Sequence, residues 1–119
     1  MPRPRAAARP MEVRMEGLRQ VRLTLPTADM AGNPLAGVEL VRVLHLPLGL
    51  TRPTPEEVFS RGEVVLERRR PDLPGPGDTL LMDLKSVQRP QGWIVLVAVR
   101  LGNVPGSPSE VLAWMDPGL

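Results

Sequence analysis

The sequence predicts an all-β protein, a seven-stranded antiparallel sandwich of two sheets. Three observations carry this. Apolar residues recur at every second position in one short run after another, the period of a strand with one buried face. Proline and glycine, 15 and 11 of 119 residues, make up more than a fifth of the chain, which interrupts it too often for long helices. Turn residues recur at the spacing of sandwich strands, with no internal repeat. With 42% hydrophobic residues, 119 residues suffice for one domain with its own core.

Residues 1–10 read as a flexible basic leader, because Pro2, Pro4 and Pro10 forbid a continuous helix and only alanines supply apolar surface. The sandwich is expected over residues 11–116, with 117–119 a short tail. Met11, Val13 and Met15 alternate with Glu12, Arg14 and Glu16 in a first, edge strand. Gln20 to Leu25 follows, with Val21, Leu23 and Leu25 on one face and Arg22 and Thr24 on the other. Pro26 ends it by removing a donor, and Asp29, Gly32, Asn33 and Pro34 supply turn chemistry. The third strand, Gly37 to Leu46, places Val38, Leu40, Arg42, Leu44 and Leu46 on one side. Its other side, Glu39, Val41, Val43 and His45, is mixed, as on a central strand whose outer surface is partly covered.

Between residues 47 and 62, prolines 47, 53 and 55 leave room for a turn or a single helical turn. Thr54-Pro55-Glu56-Glu57 has the form of a helix start, with Thr54 as N-cap and Glu57 three residues on, and Val58 and Phe59 can pin that turn to the core. Glu63 to Arg69 is the fourth strand, and Pro71 to Gly77 an extended loop. Asp78 to Leu84 is the fifth, with Leu80, Met82 and Leu84 on one face. Gly92 to Arg100 has no polar residue between Trp93 and Val99, the mark of a strand covered on both sides, and its β-branched Ile94, Val95, Val97 and Val99 favour strand over helix. Gly102, Asn103, Pro105 and Gly106 then predict a turn, and Ser109 to Met115 the seventh strand.

Several of these segments resemble the fibronectin type III domain, an immunoglobulin-like sandwich. Val21-Arg22-Leu23-Thr24-Leu25 resembles its strand B, Ala36-Gly37-Val38-Glu39-Leu40-Val41-Arg42 strand C, and Ile94-Val95-Leu96-Val97-Ala98-Val99 strand F. Gly106-Ser107-Pro108-Ser109-Glu110-Val111 resembles the approach to strand G, and Asn33-Pro34-Leu35-Ala36-Gly37 before strand C is similar to the form found in bacterial envelope proteins and lipoproteins. The aromatics depart from that pattern. Leu25 stands where the family has its core Trp, Val38 where strand C has Tyr, and with no Tyr in the chain no tyrosine corner forms. Trp93 is expected to fill part of that volume from a neighbouring position.

The resemblance implies a non-catalytic module acting in protein–protein interaction or as a structural, assembly domain of an envelope or surface protein. The residues offer little chemistry to set against it. There is no cysteine, hence no disulfide, thiolate metal site or thiol nucleophile. His45, the single histidine, lies between Leu44 and Leu46 and makes neither a triad nor a histidine-rich metal site, reading instead as half-buried or at an edge. Glu56 and Glu57 read as capping or solvated carboxylates, and Gly75-Pro76-Gly77 as a turn rather than a phosphate cradle. Asp29 and Asn33 offer oxygens, but their spacing is not that of a calcium loop. No catalytic residue, cofactor or metal is therefore expected.

The net charge is only +2, yet it is unevenly placed: 14 of the 15 basic residues are arginines, six of them within residues 1–22 and three in the knot Arg68-Arg69-Arg70. Such clusters serve either as contacts for phosphate, membrane or acidic partners or as solvated charge that deters edge pairing. No apolar run approaches the roughly 20 residues of a membrane helix. The first ten residues lack the apolar region of a secretory signal, so the expectation is a cytoplasmic chain, or a cell-envelope or extracytoplasmic one whose targeting segment has been removed. The candidate contact residues are Asp29 and Asn33 in the loop from Pro26 to Leu35, Arg68, Arg69 and Arg70 before the loop from Pro71 to Gly77, and Arg3, Arg5 and Arg9 in the leader. A protein partner at the loops is the first expectation. The alternative is a small accessory subunit of an intracellular complex that docks through its arginine-rich arm, including onto nucleic acid. Phe59, Trp93 and Trp114 are too few and too apolar in context to suggest a stacking platform.

Overall fold

The computed structural model describes residues 7–17, 19–35, 37–88, 91–100 and 104–114. They form eight strands and one helix: β1 (Met11–Met15), β2 (Gln20–Thr24), β3 (Val38–Pro47), α1 (Pro55–Arg61), β4 (Glu63–Arg69), β5 (Thr79–Asp83), β6 (Gly92–Arg100), β7 (Val104–Pro108) and β8 (Leu112–Trp114). A three-stranded sheet in the order β1-β2-β5 packs on a five-stranded sheet in the order β4-β3-β6-β7, with β8 paired to the start of β6. All pairings are antiparallel. The all-β, two-sheet expectation holds at this level, with eight strands rather than seven.

The space between the sheets is filled from both sides. Val21, Leu23, Leu80 and Met82 from the smaller sheet meet Val41, Val43, Ile94, Leu96 and Ala98 from the larger. On β3 this reverses the expected faces: Val41 and Val43 point into the sandwich, and Leu44 and Leu46 point away from it. The mixed face is the inner one because the outer face is covered too. Leu44, Val95 and Val97 pack there with Val58 of α1 and with Val111. Val38 still joins the inner core, because the β3–β6 register slips between Val38 and Leu40.

His45 is buried rather than half-buried, 2% exposed, and meets Trp114 edge-on at 5.7 Å between ring centroids. Trp114, not Trp93, is therefore the large aromatic of the inner core; Trp93 packs on the outer face.

Helix α1 runs two turns, one more than expected, and its start is the predicted capping box. The Glu57 N–H donates to Thr54 Oγ1 at 3.2 Å and the Thr54 N–H to Glu57 Oε1 at 3.2 Å, with Pro55 in the first turn. Val58 is the residue it buries completely.

The turn expected around Pro105 and Gly106 is instead part of strand β7. Prolines 105 and 108 are tolerated because β7 lies at the sheet edge, where a missing N–H breaks no ladder. Gly106 is required by crowding: a Cβ there would stand 2.5 Å from the Ala7 carbonyl oxygen and 2.8 Å from that of Ala98. The last strand is trimmed to Leu112–Trp114 because Ser109 turns inward, its N–H donating to the Leu96 oxygen at 2.8 Å and its Oγ accepting from the Leu96 N–H at 2.9 Å. Met115 lies outside the described residues.

Residues 7–10 of the leader pack against the sandwich. Ala7 is fully buried and bridges Asp29, the Ala8 N–H donates to the Ala28 oxygen at 3.0 Å, and the Ser107 N–H donates to the Ala7 oxygen at 3.3 Å.

Two measurements check this packing. Gly106→Ala forces β7 and residue 7 apart and is expected to cost about 2 kcal/mol, read as a lower urea midpoint with unchanged slope. Val58→Ala opens a cavity under α1 and is expected to cost about 2 kcal/mol in the same assay.

Candidate functional site

The antiparallel registers sort the connections between the two ends of the sandwich. Thr24, Thr79, Met11, Val38 and Arg69 lie toward one end; Pro47, Gly92, Glu63 and Trp114 lie toward the other. The first end carries the loop from Pro26 to Leu35, the loop from Pro71 to Gly77 and the arginines that close β4. The two loops start side by side, because backbone bonds continue the β2–β5 pairing at their bases: the Leu25 N–H donates to the Asp78 oxygen and the Gly77 N–H to the Leu25 oxygen, each at 3.0 Å. A Cβ at Gly77, whose φ is +83°, would stand 3.0 Å from the Thr27 methyl.

Within the first loop, Asp29 is the organising residue. Its Oδ1 accepts from the Ala31 N–H and the Asn33 N–H, both at 2.9 Å, while the Asn33 oxygen accepts from the Asp29 N–H at 2.8 Å. This is the local side-chain bonding that makes Asp a turn former. Gly32 supplies the positive φ of +87° that the turn requires. Asp29 itself is buried, so what the loop presents is Met30, 59% exposed, with Ala31, Gly32, Asn33 and Pro34. Ser107 Oγ donates to Met30 Sδ at 3.1 Å, which ties the tip to β7.

At the β4 edge, Arg42 Nε donates to Glu67 Oε2 at 2.8 Å, and Arg69 reaches the other Glu67 oxygen at 3.5 Å. The bond from Arg42, opposed in part by burial, holds the Glu67 carboxyl below its ordinary pKa. Arg70 is exposed, and its N–H donates to the Glu39 oxygen at 3.1 Å; Arg68 is half-buried opposite Val41. The predicted residues therefore share one end without forming one cluster: Arg68, Arg69 and Arg70 flank it at β4, and the Asp29 turn lies toward β7. Arg9 stands apart, beside β1 in a shallow depression with Pro10, Met11, Glu12 and Glu110. Arg3 and Arg5 lie outside the described residues.

The opposite end holds a feature the sequence reading passed over. Leaving β3, the chain forms an apolar tip in which Leu48 is 45% exposed and Leu50 wholly exposed. Behind it a groove of about 430 Å³ is lined by Leu46, Leu48, Leu50, Trp93, Glu57 and Arg61. The Arg52 guanidinium lies 5.4 Å from the Trp93 ring centroid and donates to the Val111 oxygen at 2.6 Å. The available signal was the run Leu46-Pro47-Leu48-Gly49-Leu50, three leucines where a proline-broken connection ordinarily carries polar residues.

Among the described residues, no three of His, Cys, Asp and Glu gather where a metal ion could be held, and no helix is long and apolar enough to cross a membrane. Comparison of the chain with known protein families, with characterised proteins and with solved structures finds no match.

Two predictions follow from this geometry. Asp29→Ala strands two turn N–H groups and is expected to cost about 2 kcal/mol, whereas Asp29→Asn, which keeps an acceptor oxygen, loses less than half of that in thermal unfolding. Because the Glu67 carboxyl titrates lower when folded, its contribution is present above its unfolded pKa and is lost as pH falls through the folded value. Glu67→Gln should therefore flatten the acid limb of the stability profile, by no more than about 1 kcal/mol for a pair this exposed.

Proposed function

We propose that the chain is a fibronectin type III-like interaction module that contacts a protein partner through the loop end of the sandwich. The observation that carries the reading is the convergence at that end of two loops, the first held by backbone hydrogen bonds within itself and from Ala8, the second anchored through Arg70 to Glu39 of β3, with an arginine-bearing strand edge beside them. Loops fixed on a rigid scaffold are the usual place for recognition. The exposed Met30 supplies an adaptable apolar contact, Asn33 an amide, and Arg69 and Arg70 cations at the rim, a combination suited to a protein surface.

The strand order supports the fibronectin type III member of the immunoglobulin-like group. A constant-type immunoglobulin sandwich adds its fourth strand beside strand E. Here β4 pairs with β3 instead, leaving three strands against β4-β3-β6-β7, to which the short β8 adds at the start of β6.

The test is capture from native lysate and membrane fraction at physiological salt after nuclease treatment, with wild type and the Met30→Ala/Asn33→Ala/Arg70→Ala variant in parallel. A protein partner is expected on the wild type and about tenfold less on the variant, equivalent to about 1.4 kcal/mol. Equal retention by both would defeat the loop assignment. Deleting residues 2–6, which spares the buried Ala7, separates the arm from the loops: in a parallel capture at low salt without nuclease, a partner that nuclease removes from the wild type and that is lost on this deletion alone would move the contact to the arginine arm and nucleic acid.

A further inference from the structure

The apolar tip at the end of the sandwich opposite the loops has no part in that reading. Strand β3 ends at Pro47, paired with Gly92, and the Leu48 N–H still bonds the Gln91 oxygen at 3.3 Å. Beyond it the chain projects: a Cβ built on Gly49 meets nothing within 4 Å, and Leu50 is as accessible as in an extended peptide, at 106%. The basic and aromatic groups are set back from these leucines. Trp93 lies at the base, Arg52 is clamped on its ring and on the Val111 carbonyl, and Arg61 extends from α1 with its side chain 70% exposed. Of the acidic groups at this end, Glu57 lines the groove, where it is engaged by the Thr54 cap and lies 3.9 Å from Arg61, while Glu56 and Glu63 are exposed outside it on α1 and at the start of β4.

We propose that this tip is a membrane-surface contact, in which Leu48 and Leu50 enter the acyl boundary of a bilayer carrying anionic lipid while Arg52, Arg61 and Trp93 sit at headgroup depth. Two features choose a bilayer over a protein pocket. The leucines protrude singly on either side of an open glycine, a shape that enters a fluid apolar phase without a preformed cavity to receive it. The order from the tip inward, aliphatic first, then guanidinium and indole, is also the order of layers an interface presents, with cations matched to negative headgroups. Two leucines alone give weak, reversible partition, so the contact depends on both the apolar and the electrostatic parts.

The experiment is co-sedimentation of the full chain with vesicles of phosphatidylcholine alone and of phosphatidylcholine with about one third phosphatidylserine. Binding is expected to the anionic vesicles only, and to weaken as salt shortens the screening length. Leu48→Ser/Leu50→Ser is expected to lower the partition about tenfold, and Leu50→Ser alone to lower it with an unchanged melting temperature, since Leu50 supports no packing. Arg61→Gln is expected to lower it about fivefold. Absence of binding to anionic vesicles overturns the proposal, as does binding that the leucine pair does not affect, which would assign it to arginines elsewhere. Self-association or retention of a protein partner that the leucine variant abolishes, without vesicle binding, would give the tip to a second copy or to that partner and equally overturn it.

Discussion

Everything in this sandwich is referred to the pairing of β3 with β6. The two strands run side by side from Val38 to Pro47 and from Gly92 to Arg100, and every other strand of their sheet attaches to one of them. They are the longest strands, and in the central part of the pair both faces are covered: the β1-β2-β5 sheet lies on one, and α1 with Val111 lies on the other. A pair sealed on both faces must be almost wholly apolar, and β6 is, from Trp93 to Val99. Two polar residues that β3 carries through the covered part are given a partner or a wall: Arg42 bonds Glu67 on the outer face, and His45 lies against Trp114 on the inner.

That constraint explains where sequence reading worked. Strands β2 and β5 were legible because only one of their faces is buried, so apolar and polar residues alternate along them. The α1 start was legible because a capping box is a local device, complete within Thr54 to Glu57. Strand β6 was legible as covered on both sides because it carries no polar residue from Trp93 to Val99.

Where a strand is covered on both faces, alternation ceases to say which face is which. On β3, Val38, Leu40, Leu44 and Leu46 look like the stronger apolar set, but a register slip and a covering helix, both non-local, give the inner face to Val41 and Val43. Strand β7 failed for a related reason. Its Pro105 and Gly106 spell a turn to any local rule, yet the glycine is there because two carbonyls approach it, one of them from residue 7, nearly a hundred positions away in sequence. The candidate site divided in the same way. Asp29 and Asn33 were found through turn chemistry, and turn-holding is what the Asp29 carboxylate does. In the tip from Pro47 to Pro53 the leucines at 48 and 50 continue the alternation of β3, a pattern that spells burial, and only the fold shows that the chain there has left the sheet and Leu50 stands in water.

The two ends of the molecule are built on opposite physical terms. At the loop end, backbone bonds and the Asp29 carboxylate tie the first loop to itself and to Ala8, and the second is joined to Leu25 and Glu39, so the polar tips are held in place and can present a fixed surface. At the other end, a capped helix and the Arg52 clamp hold the base of a groove rigid while two leucines beyond it are left in water. Leaving Leu50 wholly solvated forgoes roughly 1.5–3 kcal/mol of burial that the same fold extracts from Leu23, Leu40 and Leu96. Scattered apolar residues on a surface call for no explanation, but a leucine tip projecting from a tryptophan-floored groove is a concentrated one. The loop end and the tip are separated by the length of the β3–β6 pair, so a contact at one leaves the other free, and a single small sandwich can stand between two different surfaces.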